Sequence, residues 1–258
     1  MKITALLENT TERPELRTEH GLSLFVEIEG QKILFDMGQT DAFAHNAEVL
    51  GVDLASVGTA VLSHGHYDHG GGLAAFLERN KNAPVYLSRF AFEPHYHGAE
   101  RYIGLDVSLK TNPRLRFSEG ETVIAPGLTL YSCNHREREY PIDSSGLQME
   151  IDGVLMPEDF RHEQYLLAEE HGRRVLFSGC SHKGILDIVR WFQPDVLIGG
   201  FHFSKLPLDD ALAGFAECLN RFPTEYYTCH CTGAEQFAFM KERMARLHYL
   251  SCGQTIEV

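Results

Sequence analysis

The stretch LSHGHYDHGGG, Leu62 to Gly72, places three histidines and an aspartate within six residues, directly after an apolar run and directly before three glycines. Residues two apart in an extended segment point to the same side, so His64, His66 and Asp68 share a direction, while His69 approaches from the bend into a following helix. Imidazole and carboxylate groups are ligands of zinc, iron and manganese. The stretch therefore predicts ligands around two neighbouring points, where metal ions could activate water.

The glycines of this stretch, at positions 65, 70, 71 and 72, add a second expectation. The first turn of the helix that they open presents free N–H groups, and residues without a side chain allow a substrate to approach the backbone. We therefore expect these glycines to lie beside the metals and the substrate.

The chain is acidic: 23 Lys and Arg residues stand against 36 Asp and Glu residues, a formal net charge of -13 over 258 residues. Such a charge repels polyphosphate backbones and anionic bilayers, so we expect no nucleic-acid or membrane partner, and an anionic small-molecule substrate needs a local positive centre. No apolar run reaches the roughly 18 residues of a membrane helix, and no signal-peptide pattern is present, so the expected location is cytoplasmic. The six cysteines are then expected to be thiols.

Apolar periodicity predicts a single domain over residues 1–258. Strand patterns recur through both halves of the chain, and each half also carries helical patterns, without a repeat or a linker between them. Residues 89–120 are rich in aromatic and charged side chains, and we expect them to form an irregular, lid-like insertion over a site. The whole pattern favours two packed sheets with helices outside.

The segment SHGHYDH resembles the His-x-His-x-Asp-His signature of the metallo-β-lactamase superfamily, and LFDMG resembles the turn of that family that contains an aspartate, here Asp36. The resemblance covers the whole chain in the order of its elements. It implies an α/β (α+β) fold, the αββα four-layer sandwich, with a dinuclear centre at the strand ends. His64 and His66 would hold one metal, and Asp68 and His69 the other. The implied cofactors are two divalent metal ions, zinc first, with manganese or iron as alternatives.

Three later segments end an apolar strand in small residues and then a ligand-capable side chain: VLFSGCSHKGI, VLIGGFHFS and YYTCHCTG. Their motifs GCSH, GGFH and HCTG are similar to a narrower branch of the superfamily, that of dihydropteroate-synthase-like proteins and of an archaeal pterin ribofuranosylaminobenzene-phosphate synthase. We place His182 of these segments with His64 and His66, and His230 with Asp68 and His69.

Cys180 and His135 leave the ligand set open. Many hydrolases of the superfamily carry a bridging aspartate at the position where the motif FSG is here followed by Cys180, whose thiolate is a further candidate ligand. His135, in the segment SCNHRERE, is the alternative to His182 as a ligand, and His182 would then only support the site. The strand-end position of His182 favours it over His135.

Substrate contacts are assigned to His202, Arg136 and Arg138. His202 is expected to touch substrate, to orient a ligand or to bind metal. Arg136 and Arg138 are the best cationic pair for a phosphate or carboxylate, because guanidinium groups bind oxyanions through two parallel hydrogen bonds; the alternative is a self-neutralising charged face. His95 and His97 are expected in a solvated loop, and the alternative is that they bind an anionic substrate group from the lid. Cys229 and Cys231 are expected to be buried thiols.

The sequence therefore predicts an enzyme, a metal-dependent hydrolase. Metal-bound hydroxide would attack an ester, phosphoester or related small-molecule substrate, and Asp68 would hold and orient that nucleophile. The pterin-related resemblance implies a different class, a carbon–carbon bond-forming synthase. A non-catalytic metal-binding or sensing module is the third alternative. The segment FAFMKERM could pack either internally or across a homodimer.

Overall fold

Strands dominate the computed structural model, which describes residues 1–141 and 143–258. Within these residues the strands form two seven-stranded sheets and one four-stranded sheet. The strands are β1 (Lys2–Leu7), β2 (Ser23–Ile28), β3 (Gln31–Phe35), β4 (Thr59–Val61), β5 (Val85–Ser88), β6 (His95–His97), β7 (Arg101–Tyr102), β8 (Leu115–Ser118), β9 (Glu121–Ala125), β10 (Leu128–Tyr131), β11 (Leu147–Ile151), β12 (Val154–Pro157), β13 (Tyr165–Glu170), β14 (Arg173–Phe177), β15 (Val196–Gly199), β16 (Glu225–Thr228), β17 (Leu247–Tyr249) and β18 (Thr255–Glu257).

The helices are short and connect these strands. The α-helices are α1 (Ala42–Val49), α2 (Tyr67–Gly70), α3 (Leu73–Arg79), α4 (Ile185–Phe192), α5 (Asp210–Asn220) and α6 (Ala234–Lys241). Single 3-10 turns cover Leu54–Ser56, Val107–Thr111 and His230–Thr232. None of the described helices has the length and apolar character needed to cross a membrane.

The two large sheets follow one plan. The first has the order β18-β1-β2-β3-β4-β5-β8, and the second has the order β17-β16-β15-β14-β13-β10-β9. In the first sheet β3, β4, β5 and β8 pair in parallel, and in the second β14, β15, β16 and β17 do so. Parallel strands are covered on both faces, which explains why segments such as VLIG of β15 are apolar throughout.

Alternate residues of each large sheet pack into different layers. Val175 and Phe177 of β14 point into the core between the two sheets, whereas Leu176 packs against the helices outside. The same alternation separates Phe35 from Leu34 in β3. Helices α1 and α3 cover the outer face of the first sheet, and α4, α5 and α6 cover that of the second. The predicted αββα four-layer sandwich is confirmed.

Residues 89–120 are more regular than the sequence predicts. They contain β6 and β7, which join β11 and β12 in the four-stranded sheet, and β8, which forms the edge of the first large sheet. Edge strand β8 buries only Leu115 and Ser118 of its four residues, so its sequence lacks the apolar run that marks a central strand. The segment therefore belongs in part to the sandwich and in part to the small sheet beside it.

The parallel strands bring polar residues together at one edge of the sandwich. Asp36 follows β3, His64 follows β4, Cys180 follows β14, His202 follows β15 and His230 follows β16. Because neighbouring parallel strands end at the same edge of a sheet, each sheet gathers its polar residues there. Residues of the two sheets meet at this edge, as His69 and His230 do across 161 positions of the chain. This edge holds the candidate site.

Candidate metal centre

Four side chains from distant parts of the chain converge on one point: Asp68, His69, Cys180 and His230. The Nε2 atom of His69 lies 3.1 Å from Cys180 Sγ and 3.2 Å from His230 Nε2. The Oδ2 atom of Asp68 lies 3.5 Å from His230 Nε2 and 4.0 Å from His69 Nε2. Ligands at about 2.0–2.3 Å from a tetrahedral zinc ion stand roughly 3.3–3.8 Å apart. The four separations, 3.1 to 4.0 Å, lie within about 0.2 Å of this range, so these donors are close enough together to share a single metal ion.

Asp36 determines which nitrogen of two histidines faces the centre. His69 Nδ1–H donates to Asp36 Oδ2 over 2.6 Å. Ser63 Oγ–H donates to the same oxygen over 2.7 Å, so this hydroxyl accepts from His64 Nδ1–H over 2.9 Å. Both histidines thus leave Nε2 free on the side of the centre, which is the arrangement that a metal ligand requires.

His230 is held in the same orientation by the end of the first strand. The backbone N–H of Gly21 donates to Asn9 Oδ1, which identifies this atom as the amide oxygen, so His230 Nδ1–H donates to it over 2.9 Å. Glu8 accepts a further hydrogen bond of 2.6 Å from the backbone N–H of His230. Its Nε2 atom is therefore left for the centre.

A second donor set lies beside the first and consists of His64, His66 and His182, whose donor atoms all lie within 4.8 Å of one another. His64 Nε2, His66 Nε2 and both ring nitrogens of His182 are buried and have no hydrogen-bond partner among the described residues. Buried polar atoms without a partner cost free energy. A cation between the three imidazoles would be bound by one of these nitrogens from each ring, so this set fits a second metal ion.

Glu163 and Phe160 hold His182 in place. Glu163 accepts from the backbone N–H of His182 over 2.7 Å and from that of Lys183 over 3.0 Å. The His182 ring stacks on Phe160 with ring centroids 4.5 Å apart and an angle of 6° between the planes. The Lys183 ammonium is buried and donates to the carbonyl of Ser132, which ties the same loop to β10. Glu163 therefore supports the position of His182 through the backbone of its loop.

Burial and charge shift pKa values in opposite directions in the two sets. Burial, together with the neighbouring histidines, holds the pKa of His64 well below its usual value. Burial also acts to lower the pKa of His69, but the carboxylates of Asp36 and Asp68 outweigh it and raise that pKa to about 9. Burial raises the pKa of the Cys180 thiol well above its usual value. In the metal-free chain a proton on His69 thus takes the place that a metal cation would fill.

The side chains of Arg136, Arg138 and His135 do not reach this centre. Arg136 donates to the carbonyl of Trp191 over 3.0 Å and lies over the ring of Phe192, both in α4. Arg138 and His135 line a separate depression on the surface. The interpretation of the two arginines as substrate ligands, and of His135 as an alternative metal ligand, is corrected accordingly, because this segment packs against α4 and away from the strand ends.

A buried network beside His66 was not predicted from the sequence. His95 Nδ1–H donates to Glu158 Oε2 over 2.8 Å, and His162 Nδ1 accepts from the backbone N–H of Gly65 over 2.8 Å. A neutral histidine that accepts at Nδ1 carries its proton on Nε2, which lies 3.5 Å from Glu158 Oε1. His162 then offers no lone pair to a metal. Although the donor atoms of this group lie within 4.8 Å of one another, the hydrogen bonds favour a support for the ligand loop over a third metal site.

The sequence contains only a partial indication of this network of His95, Glu158 and His162. His95 is fully buried, contrary to the expected solvated loop, because β6 pairs with β11 and turns its first residue inward. His162 stands three residues before an apolar strand, so it flanks a strand as His182 does, although His182 was singled out because it follows its strand. Its partner Glu158 follows an exposed hairpin and carries no comparable signal.

A cavity of about 460 Å³ opens above the two donor sets. Cys180 and His202 both line it, as does Cys231, which sequence analysis had assigned to the buried thiols. The Cys231 sulfur accepts from the backbone N–H of His202 over 3.3 Å, whereas Cys229 packs in the core between the sheets. The lining residues are His20, His66, Tyr67, Asp68, His97, Arg101, Ile103, Leu147, Cys180, His182, His202, Ser204, Lys205 and Cys231.

The glycines of the ligand loop pack against other backbone segments. A Cβ atom at Gly72 would lie 2.1 Å from the carbonyl oxygen of Met37, and one at Gly65 would lie 2.3 Å from that of Ala91. None of the four glycines lines the cavity. The expected contact of these glycines with substrate is therefore replaced by close packing of the loops that carry the ligands.

Comparison with known proteins places this fold and ligand pattern in a family. A sequence model of the family described as the metallo-beta-lactamase superfamily matches residues 16–215. The chain belongs to the metallo-β-lactamase superfamily. Among solved structures of this superfamily, Tm1679, described as a metal-dependent hydrolase, is 30% identical and superposes with a TM-score of 0.82, covering 100% of this chain and 99% of that one.

Two relatives from Methanocaldococcus jannaschii are similar over most of their length. One is an uncharacterized protein, 29% identical over 239 residues, which are 90% of each chain. The other is named 7,8-dihydropterin-6-methyl-4-(beta-D-ribofuranosyl)-aminobenzene-5'-phosphate synthase and is 26% identical over 268 residues, 93% of this chain and 90% of that one. The resemblance to the metallo-β-lactamase superfamily and its pterin-related branch is confirmed. The names of these proteins divide between hydrolase and synthase.

Proposed function

We propose that the protein is a metal-dependent hydrolase that cleaves an ester, phosphoester or related small-molecule substrate. The observation that carries the proposal is the convergence of two donor sets at the floor of one cavity. A purely structural metal site is closed by four protein ligands, whereas a catalytic one keeps a position open to substrate, as the set of three ligands His64, His66 and His182 would do. The similarity to Tm1679 over the whole chain supports the hydrolytic class.

The proposed cofactors are two divalent metal ions, held by His64, His66 and His182 and by a second set of Asp68, His69, Cys180 and His230. When bound, such ions supply Lewis acidity, which polarises a carbonyl or phosphoryl group and makes water more acidic. The donor chemistry favours zinc, because a thiolate joins imidazole and carboxylate ligands in one set; manganese and iron are the alternatives.

The chain's own groups position the reactants. Burial acts to raise the pKa of Asp68, but the histidines around it hold that pKa well below its usual value, so the carboxylate is ionised and can orient an attacking nucleophile. The exposed ring of His20 contacts the same carboxylate, with its Nε2 atom 3.3 Å from Asp68 Oδ2. His202 is proposed to contact substrate, since its Nδ1 atom has no partner among the described residues and its ring lies 4.4 Å from that of His182.

Metal content and turnover of one preparation test this proposal. Protein purified without added metal or chelator is expected to contain about two equivalents of zinc or manganese and to hydrolyse at least one member of a panel of phosphodiesters, thioesters and lactones. The His66→Ala variant is expected to lose most of one metal equivalent and all turnover. Full retention of metal and turnover by this variant would contradict the assignment.

The matched control is His45→Ala. His45 lies in α1, outside the cavity, where alanine is the most favourable helix residue. The control should keep the metal content and the turnover of the wild-type protein. A loss of metal in both variants would indicate a general effect of removing histidine from the chain.

The synthase is the second candidate, and the observation that favours it is the 26% identity to the named synthase over 93% of this chain. Incubation with a pterin phosphate and an aminobenzoate derivative, followed by mass spectrometry, separates the two candidates. A coupled product without turnover on the ester panel would favour the synthase. One tightly held metal without either reaction would favour a binding or sensing module.

A further inference from the structure

Two cationic side chains face the mouth of the cavity from different parts of the chain. Arg101 stands in β7 of the small sheet, and Lys205 lies in the loop after β15 of the second large sheet. His97 is directly opposite Arg101 in the β6–β7 hairpin, so both side chains project from the same face. The Nζ atom of Lys205 lies 3.4 Å from His97 Nε2. The three residues therefore form one group at the entrance, here called the mouth cluster.

Eight Lys and Arg residues in the described part of the chain form ion pairs with carboxylates, and the cations of the mouth cluster are not among them. Arg101 donates to the hydroxyl of Tyr67 over 2.8 Å, and neither Arg101 nor Lys205 forms an ion pair within residues 1–141 and 143–258. Among the described residues, Asp68 is the sole acidic one that lines the cavity, and its carboxylate already faces the histidines at the floor. In a chain of net charge -13, this leaves a local positive centre at the entrance.

The wall below the mouth cluster is apolar. Ile103 and Leu147 are buried, line the cavity and pack with Phe160 in a small core under the four-stranded sheet. A ligand that fills the cavity thus meets positive charge at the entrance, apolar contacts along the wall and the donor sets at the floor.

We infer that the cavity selects substrates with an oxyanion substituent, a phosphate or a carboxylate, which the mouth cluster of His97, Arg101 and Lys205 binds. This inference rests on the proposed function only in taking the cavity as the substrate site. The arginine offers a planar pair of N–H donors, and the lysine offers a movable point charge, so together they suit an oxyanion that enters from solvent. The susceptible bond lies at the floor, and the oxyanion stays at the entrance.

Binding of compounds that cannot be hydrolysed tests the mouth cluster apart from any turnover. The probes are phenylphosphonate, benzoate and the neutral benzamide, and affinity for the metal-loaded protein is measured by calorimetry. Wild-type protein should bind at least one anionic probe more tightly than benzamide. Arg101→Gln and Lys205→Gln should each weaken that probe about tenfold and leave benzamide unchanged. Arg101→Lys and Lys205→Arg should restore most of the affinity, because they keep the charge.

Lys81→Gln is the matched control, since Lys81 is an exposed lysine outside the cavity and loses the same charge. If the glutamine variants lose affinity for phenylphosphonate alone, the mouth cluster binds a phosphate substituent. If they lose affinity for benzoate alone, it binds a carboxylate, and a loss for both probes indicates that it binds either oxyanion. The inference is overturned if the wild-type protein binds no anionic probe more tightly than benzamide, or if both glutamine variants bind like Lys81→Gln.

Metal content and ester turnover of the same preparations keep the two proposals separable. Intact metal and turnover with no selectivity for anions would refute the mouth cluster and leave the hydrolase standing. Selective binding of anions without turnover on any ester would refute the hydrolase and leave the mouth cluster standing.

Discussion

Asp36 connects the backbone of the first sheet to both donor sets. One of its oxygens accepts from His69 Nδ1–H and from the Ser63 hydroxyl, and the other accepts from the backbone N–H of Ser63. Through Ser63 the carboxylate also orients His64. The residue has φ of 60°, a conformation that few side chains adopt, so the turn after β3 is built for this contact. Such supporting carboxylates fix the tautomer and the basicity of metal-binding histidines.

Asp36→Asn is therefore expected to weaken metal binding by about 10- to 100-fold. Asparagine adopts a positive φ readily, so the backbone is unstrained. One of its two carboxamide positions is an N–H₂ group, however, so the side chain cannot accept both from the backbone N–H of Ser63 at one position and from His69 and the Ser63 hydroxyl at the other. Titration of the metal-free protein with zinc against a competing chelator measures the change. Asp210→Asn, an exposed position on α5, should bind zinc like the wild-type protein; equal affinities for Asp36→Asn would contradict the role given to Asp36.

Site residues that lie close together in the sequence were predictable, whereas residues that reach the site only because distant loops fold over it were not. His64, His66, Asp68 and His69 lie in one stretch, so their spacing alone predicts a metal site. Arg101 carries the same charge as Arg136 and Arg138, which were predicted to bind substrate. The sequence does not indicate which of these loops lies over the cavity. Only the pairing of β6 with β7 and β11 decides this.

At the scale of elements, the ligand loop depends on how closely it can approach the turn after β3. Gly72 precedes α3 and faces the carbonyl oxygens of Met37 and Thr40, and a Cβ atom there would lie 2.1 Å and 2.7 Å from them. These contacts are with backbone, which cannot move without displacing Asp36. The strands themselves were predictable because apolar runs mark them, whereas this loop-to-loop contact leaves only a glycine in the sequence.

Gly72→Ala is expected to lower the free energy of unfolding by about 1–3 kcal/mol, since the added methyl group forces two backbone segments apart. The matched control is Gly214→Ala in the middle of α5, where a Cβ atom meets nothing within 4 Å. That change should raise the free energy of unfolding by up to about 1 kcal/mol, because alanine favours the helix. Urea unfolding measures both, and equal effects of the two substitutions would show that the close contact does not matter.

At the scale of the whole molecule, the candidate centre joins the two halves of the sandwich. The first half supplies the ligand loop after β4, and the second supplies the candidate ligands after β14 and β16. The fold was predictable because both halves carry the same alternation of strands and helices. The charge state of the assembled site was not, since it arises from burying histidines and carboxylates of both halves against one another.

The buried histidines make stability of the metal-free protein dependent on pH. Burial lowers the pKa of four of them, His64, His66, His162 and His182, from 6.5, to about 4 in the case of His162. Burial is outweighed in two others: carboxylates raise the pKa of His69 to about 9, and Cys231 raises that of His202. Below pH 6.5 the four histidines with lowered pKa values bind protons in the unfolded chain but stay neutral in the folded one. Their contribution therefore lowers the free energy of unfolding as the pH falls. The two raised groups act in the opposite direction.

Four groups outweigh two, so the free energy of unfolding of chelator-treated protein is expected to fall between about pH 7.5 and pH 5.5. Carboxylates do not obscure this window, because the stabilisation from the lowered pKa of Asp68 and Glu158 persists until the pH approaches their unfolded values of 3.8 and 4.5. Urea unfolding at both pH values measures the change. His162→Gln removes one histidine with a lowered pKa outside the proposed ligand set. The free energy of unfolding of this variant should fall less steeply with decreasing pH, by a slope that corresponds to at most about one bound proton. Constant or rising stability on acidification would mean that these histidines are already protonated in the folded chain.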